Sequence, residues 1–110
     1  MSNVKDVQKW LDDEFEIKLW PSPIRAIAMA NQVVFNKNII DSWNIVRRGT
    51  ESIHAKFLQA ILICMGYGCN LDGIFASDSV DALKQYQRDN GFIVNGICGK
   101  AIIRRIFKEE

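Results

Sequence analysis

Two short stretches decide how this chain reads: Leu71-Asp72-Gly73-Ile74-Phe75 and Val94-Asn95-Gly96-Ile97-Cys98. Both have the form apolar–Asx–Gly–Ile–X, and each leads into a helical pattern, so they form an internal repeat. In such a loop the Asx side chain bonds back to the backbone and glycine takes the φ > 0 position. The isoleucine is expected to anchor the turn on the core. Before the first loop, Ile53, Phe57, Ile61 and Met65 recur every four residues, with Leu58 and Leu62 widening the stripe. This spacing predicts a helix with one buried face, ended by Gly66. Between the loops, Val80, Leu83 and Tyr86 predict a second helix, capped by Ser77 or Asp78 and closed before Asn90-Gly91. Lys100 to Phe107 predicts a last helix with Ile102, Ile103, Ile106 and Phe107 inward.

Toward the N-terminus, Arg47-Arg48-Gly49-Thr50 marks a boundary between a segment 1–46 and a domain 47–110. Asn3-x-x-Asp6 resembles a capping arrangement, and Val4, Val7, Leu11 and Phe15 follow at helical spacing with Trp10 beside them. Ser22-Pro23 is a helix start, with serine as cap and proline at the first helical position. Ile24, Ile27, Val34 and Phe35 then share a face. Ile39 to Val46 reads as a short helix or an extended linker. The fold class is therefore all-α: a small helical bundle with two pseudo-symmetric Asx-Gly-Ile loops, preceded by a helical N-terminal segment.

At 110 residues and 48% hydrophobic content, the chain suits one compact domain or two very small ones sharing a core. Fourteen Lys and Arg against thirteen Asp and Glu leave a net charge of +1. Nucleic-acid binding through phosphates calls for a clearer basic excess. Neither part is polarised: 1–46 carries five basic and six acidic residues, 47–110 nine and seven. The longest apolar run, Ala60 to Met65, is far short of the roughly 18 residues a membrane span needs. Nucleic acid and membrane are thus not expected partners. The first residues show no apolar secretory region, so a cytoplasmic location until release is expected. Cys64, Cys69 and Cys98 are odd in number without C-x-x-C spacing, which favours buried free thiols. A Cys64–Cys69 or Cys69–Cys98 bridge stays open at this stage.

Residues 47 to 107 resemble the small three-helix peptidoglycan-binding domain of bacterial and phage wall hydrolases. Five blocks in order carry the resemblance: Phe57-Leu58-Gln59-x-x-Leu62, Met65-Gly66-Tyr67, Leu71-Asp72-Gly73-Ile74-Phe75, Ala82-Leu83-Lys84-x-Tyr86-Gln87-Arg88-x-x-Gly91 and Val94-x-Gly96-Ile97-x-Gly99. Ala76-Ser77-Asp78-Ser79 and Asn95 depart from the family pattern while preserving turn chemistry. The segment 1–46 reads either as a worn copy of the same unit or as an unrelated helical extension. Val7-Gln8-Lys9-Trp10-Leu11 aligns with Leu58-Gln59-Ala60-Ile61-Leu62, but Trp20-Pro21-Ser22-Pro23 replaces the Asx-Gly loop.

The resemblance implies a non-catalytic wall-binding module of a phage endolysin or bacterial wall hydrolase. Its partner would be peptidoglycan, together with a linked or separate hydrolase. After release from the cytoplasm its location would be the bacterial wall. No catalytic residue, cofactor or metal site is assigned. His54, the sole histidine, is expected at the surface or as a capping residue, and a zinc site needs several converging ligands. Glu51, Asp72 and Asp78 could imitate a glycosidase pair, yet each has a local turn, capping or dipole role. Sugars and wall peptides are held by aromatic faces plus charged and amide groups. The ligand-binding candidates are therefore Tyr67, Asp72, Phe75, Gln87 and Arg88, with Arg88 able to pair a stem-peptide carboxylate. The alternative is a cytoplasmic protein–protein interaction domain on a repurposed peptidoglycan-binding fold. Trp10, Trp20 and Trp43 would be its interface candidates, although core packing is their commoner role.

Overall fold

A computed structural model describes residues 1–108. Helix α1 (Val4–Phe15) begins in a capping box, where Asn3 Oδ1 accepts from the Asp6 N–H at 3.1 Å and the Asp6 carboxylate accepts from the Asn3 N–H at 2.7 Å. Helix α2 (Pro23–Phe35) starts at the Ser22 cap with Pro23 in its first position. The ambiguous stretch after it is a single turn, α3 (Ile39–Ser42), capped by Asn38 and followed by extended chain. Helix α4 (Ile53–Cys64) is capped by Ser52, whose Oγ accepts from the Ala55 N–H at 3.0 Å. Helix α5 (Ser77–Asp89) has no side-chain cap. The Asp78 carboxylate, expected to cap it, instead accepts from the Asn70 N–H at 2.7 Å and ties down the preceding loop. Helix α6 (Lys100–Lys108) closes the chain. The described residues form six helices and no strand.

Helix α4 departs from the expected amphipathic pattern. Nine of its twelve residues are buried, including His54 and Gln59. A helix buried all round is a central one, and α1, α2 and α5 pack against it. One hydrophobic cluster joins Val7, Leu11 and Ile27 from the first two helices to Phe57, Ile61, Leu83 and Ile103. The rings of Trp10 and Phe57 lie 5.6 Å apart, so the N-terminal helices cover apolar surface that α4 would otherwise expose.

The extended chain at 46–52 runs between the two Asx-Gly loops. Val46 exchanges both backbone bonds with Cys98, at 3.1 and 2.8 Å. The Gly49 N–H donates to the Phe75 carbonyl, and the Phe75 N–H to the Thr50 carbonyl, each at 2.9 Å. Buried Trp43 adds a bond from its indole N–H to the Cys98 carbonyl at 2.9 Å. Backbone groups of both loops are thus paired by one strand-like segment.

His54 is neither at the surface nor a cap, contrary to expectation. It is 2% exposed, stacked on Phe35 with ring centroids 4.5 Å apart and against Trp43 at 4.9 Å. Its Nε2 lies 3.2 Å from Ser42 Oγ, which also bonds with Asn31. Burial holds the imidazole pKa below its ordinary value. The unfolded chain therefore takes up this proton first as pH falls. The His54 contribution is complete above about pH 6.5, the unfolded value, and declines below it by at most about 1.4 kcal/mol per pH unit. Urea denaturation between pH 7.5 and 5.5 is expected to show this loss in the wild type and a flatter profile in His54→Phe.

Candidate functional site

Each Asx-Gly loop is shaped by a glutamine on the helix before it. Gln59 is buried in α4, and its Oε1 accepts from the Asp72 N–H at 3.1 Å and the Gly73 N–H at 2.8 Å. Its Nε2 reaches Asp72 Oδ1, the Ile74 carbonyl and Ser79 Oγ at 2.9–3.0 Å. Gln87 in α5 does the same for the second loop. Its Oε1 accepts from Asn95 and Gly96 N–H at 3.1 and 2.9 Å, and its Nε2 donates to Asn95 Oδ1 and the Ile97 carbonyl at 2.9 and 3.1 Å. Asp72 and Asn95 each accept from the N–H two residues on, at 3.0 Å. Gly73 and Gly96 have φ of +78° and +70°, where a side chain would be strained.

The isoleucines do not anchor these turns. Ile74 is 46% and Ile97 38% exposed, while the next residues, Phe75 and Cys98, are buried. Alternation in extended chain explains this: once Phe75 and Cys98 pair with segment 46–52 and point inward, their predecessors must point outward.

The five ligand-binding candidates do not converge. Phe75 fills the core, and the Gln87 amide is committed to its loop, so neither is presented to a ligand. Asp72 sits beside the start of α5, its Oδ1 already shared by Gln59 and Ile74. Tyr67 and Arg88 lie near the other end of α5, about 15 Å away along the helix. There the Tyr67 hydroxyl donates to Asp89 Oδ2 at 2.8 Å and the ring packs edge-on to Tyr86 at 5.9 Å. Gln85 Nε2 donates to Asp89 Oδ1 at 2.8 Å, and Arg88 donates to Gln85 Oε1 at 3.0 Å. Tyr67, Gln85, Arg88 and Asp89 thus form one linked, accessible patch. The bond to Asp89 raises the Tyr67 pKa, keeping its hydroxyl a donor. Gln85 and Asp89 were not among the sequence candidates. The i, i+3 and i, i+4 spacing of Gln85, Arg88 and Asp89 was their available signal.

Residues 55–106 match the family model of the peptidoglycan binding domain. This stretch is a domain of that family. No curated protein and no solved structure matches the chain. The matched residues run from the first turn of α4 to the end region of α6 and contain both loops and the Tyr67–Arg88 patch.

The three cysteines of the peptidoglycan-binding domain are buried (Cys69, Cys98) or half-buried (Cys64). Cys64, Cys69 and Cys98 are free thiols. Burial pushes Cys64 and Cys69 up to about 11 and Cys98 further upward, so little reactive thiolate forms near neutral pH. Among the described residues no three His, Cys, Asp or Glu side chains gather. Outside the matched stretch, Trp43 is core, Trp10 is half-buried under Lys56, and Trp20 is 65% exposed. An apolar groove of about 410 Å³ lies between α2, α3 and Phe107 of α6, away from the Tyr67–Arg88 patch.

Replacing Gln59 by methionine keeps the volume but leaves the Asp72 and Gly73 N–H groups unpaired. Urea unfolding should show a loss of about 2–4 kcal/mol, and Gln87→Met a loss of similar size. Exposed Ile74→Ser should change stability by less than about 1 kcal/mol.

Proposed function

We propose that this protein binds bacterial peptidoglycan without cleaving it, as the wall-targeting module of a phage endolysin or bacterial wall hydrolase. The family match over 55–106 carries the reading. The patch at the end of α5 supports it, because its groups suit a glycan bearing short peptides. Arg88 offers a bidentate fork to a peptide carboxylate. The Tyr67 ring offers aromatic surface to a sugar, and Gln85 and Asp89 can read amides and hydroxyls. Holding a hydrolase at the surface of its polymer raises the enzyme's local concentration there. The site of action in this reading is the wall, reached after release from the cytoplasm.

Co-sedimentation with purified sacculi tests this reading. The wild type should pellet with sacculi stripped of accessory polymers, and Arg88→Ala should bind about tenfold more weakly, the loss of one charge-assisted contact. Turbidity of a wall suspension should stay constant. A folded protein that remains in the supernatant overturns the reading and favours a protein partner, for which exposed Trp20 is the anchor to mutate first.

A further inference from the structure

Helix α6 carries Lys100, Arg104, Arg105 and Lys108. Residues 100–108 hold four of the fourteen basic side chains and none of the thirteen acidic ones. This helix is thus +4 in a chain of +1, and the remainder of the chain is net acidic. Glu109 and Glu110 follow it in the sequence. Lys100, Arg104 and Lys108 are exposed and stand four apart on one face, each about 6 Å along the axis from the next. The ion pairs of the described residues, Lys9–Asp13 and Lys18–Asp12, include none of them.

This arrangement works against the fold. Like charges at i, i+4 repel, and a lysine in the first turn meets the positive end of the helix dipole. Lys100 is also joined by a cation from outside the helix. It lines a depression of about 380 Å³ with Lys37, Asp41, Ser42 and Asn44. There Lys100 Nζ donates to the Asp41 backbone carbonyl at 3.4 Å, while the Asp41 carboxylate is held by Asn38 at 2.8 Å.

We propose that Lys37, Lys100, Arg104 and Lys108 form a track for an extended polyanion, a phosphodiester-linked accessory polymer of the bacterial wall. The choice of polymer rests on the peptidoglycan reading. The spacing supports a polymer with one charge per short repeat. A six-bond phosphodiester repeat spans about 7 Å, twice the three-bond peptide repeat. This is close to the roughly 6 Å step between these cations, a difference that long, flexible side chains absorb. A nucleic-acid strand has a similar repeat, but such strands are held on exposed aromatic platforms beside the cations. This track has none: Trp43 is buried and Phe35 and Phe107 are partly buried.

The test compares the full chain with its Lys100→Gln/Arg104→Gln double variant, glutamine being nearly as good a helix former. Binding is measured to sacculi with and without their phosphodiester polymer, to isolated poly(glycerol phosphate), and to a single-stranded oligonucleotide of equal charge. The wild type should prefer polymer-bearing sacculi by about tenfold, and the double variant should lose that preference. Its log–log salt slope on the isolated polymer should fall by about two. Its melting temperature should be unchanged or higher, because repulsion along α6 is relieved. Equal wild-type binding to both kinds of sacculi, or an unchanged preference in the double variant, overturns the track and leaves the peptidoglycan reading standing. Binding to the isolated polymer without binding to polymer-free sacculi supports the track while overturning the peptidoglycan reading. Tighter binding to the oligonucleotide than to the polymer overturns the proposal in favour of nucleic acid.

Discussion

The architecture of the peptidoglycan-binding domain depends on two amide side chains, Gln59 and Gln87, withdrawn from water. A buried carboxamide without partners costs several kcal/mol, and each of these finds its partners in the backbone of one loop. That requirement propagates outward. Two consecutive N–H groups must point at one oxygen, which turns the chain back at Gly73 and Gly96 with positive φ. The Asx side chain closes the turn, and the residue after isoleucine emerges facing the core. Phe75 and Cys98 then present their backbone edges to the segment 46–52, which pairs with both. Each loop is therefore tied on one side to its glutamine and on the other to that segment.

The same device occurs once more outside the matched stretch. Gln8 on α1 donates to the Ile17 carbonyl at 3.2 Å and accepts from the Leu19 N–H at 2.9 Å, holding the chain that leaves that helix. Helices α1 and α2 then cover α4 through aromatic and imidazole contacts: Trp10 and Phe15 against Phe57, and Phe35 against His54. A central helix buried on all sides needs such cover. Residues of α1 and α2 therefore share one hydrophobic core with the matched stretch.

The surfaces left over differ in character. The end of α5 offers a tyrosine, an amide, a guanidinium and a carboxylate in one hydrogen-bonded chain. Helix α6 offers a stripe of like charge, Lys100, Arg104 and Lys108, at the pitch of a helix. The first arrangement suits short polar groups read one at a time, the second a repeating charge. Two such surfaces on one small fold would engage a composite polymer by different parts of its chemistry.

Sequence alone determined the five longer helices, the Asn3 and Ser22-Pro23 starts and the positive φ at Gly73 and Gly96, because caps, periodicity and positive-φ glycines are local physics. The family match over 55–106 was legible for the same reason, its blocks being loop and helix-face motifs in fixed order. The α5 cap and the place of the loop isoleucines were not legible. Only the tertiary structure decided burial and therefore role. His54 lies inside because α2 and α3 fold back over α4, and no local signal records that. Gln87 and Phe75 were removed from the candidate site by the same cause: a polar or aromatic residue reads alike whether it serves the core or a ligand until its neighbours are known. Asp89 entered because Tyr67, 22 residues away, is brought against it, and Gln85 entered through its own bond to Asp89. The charge of α6 was averaged out when counted over 47–110, and the helical geometry made it a stripe. Local rules set where helices begin and end, whereas water exclusion, which acts between distant segments, sets which side chains remain available for function.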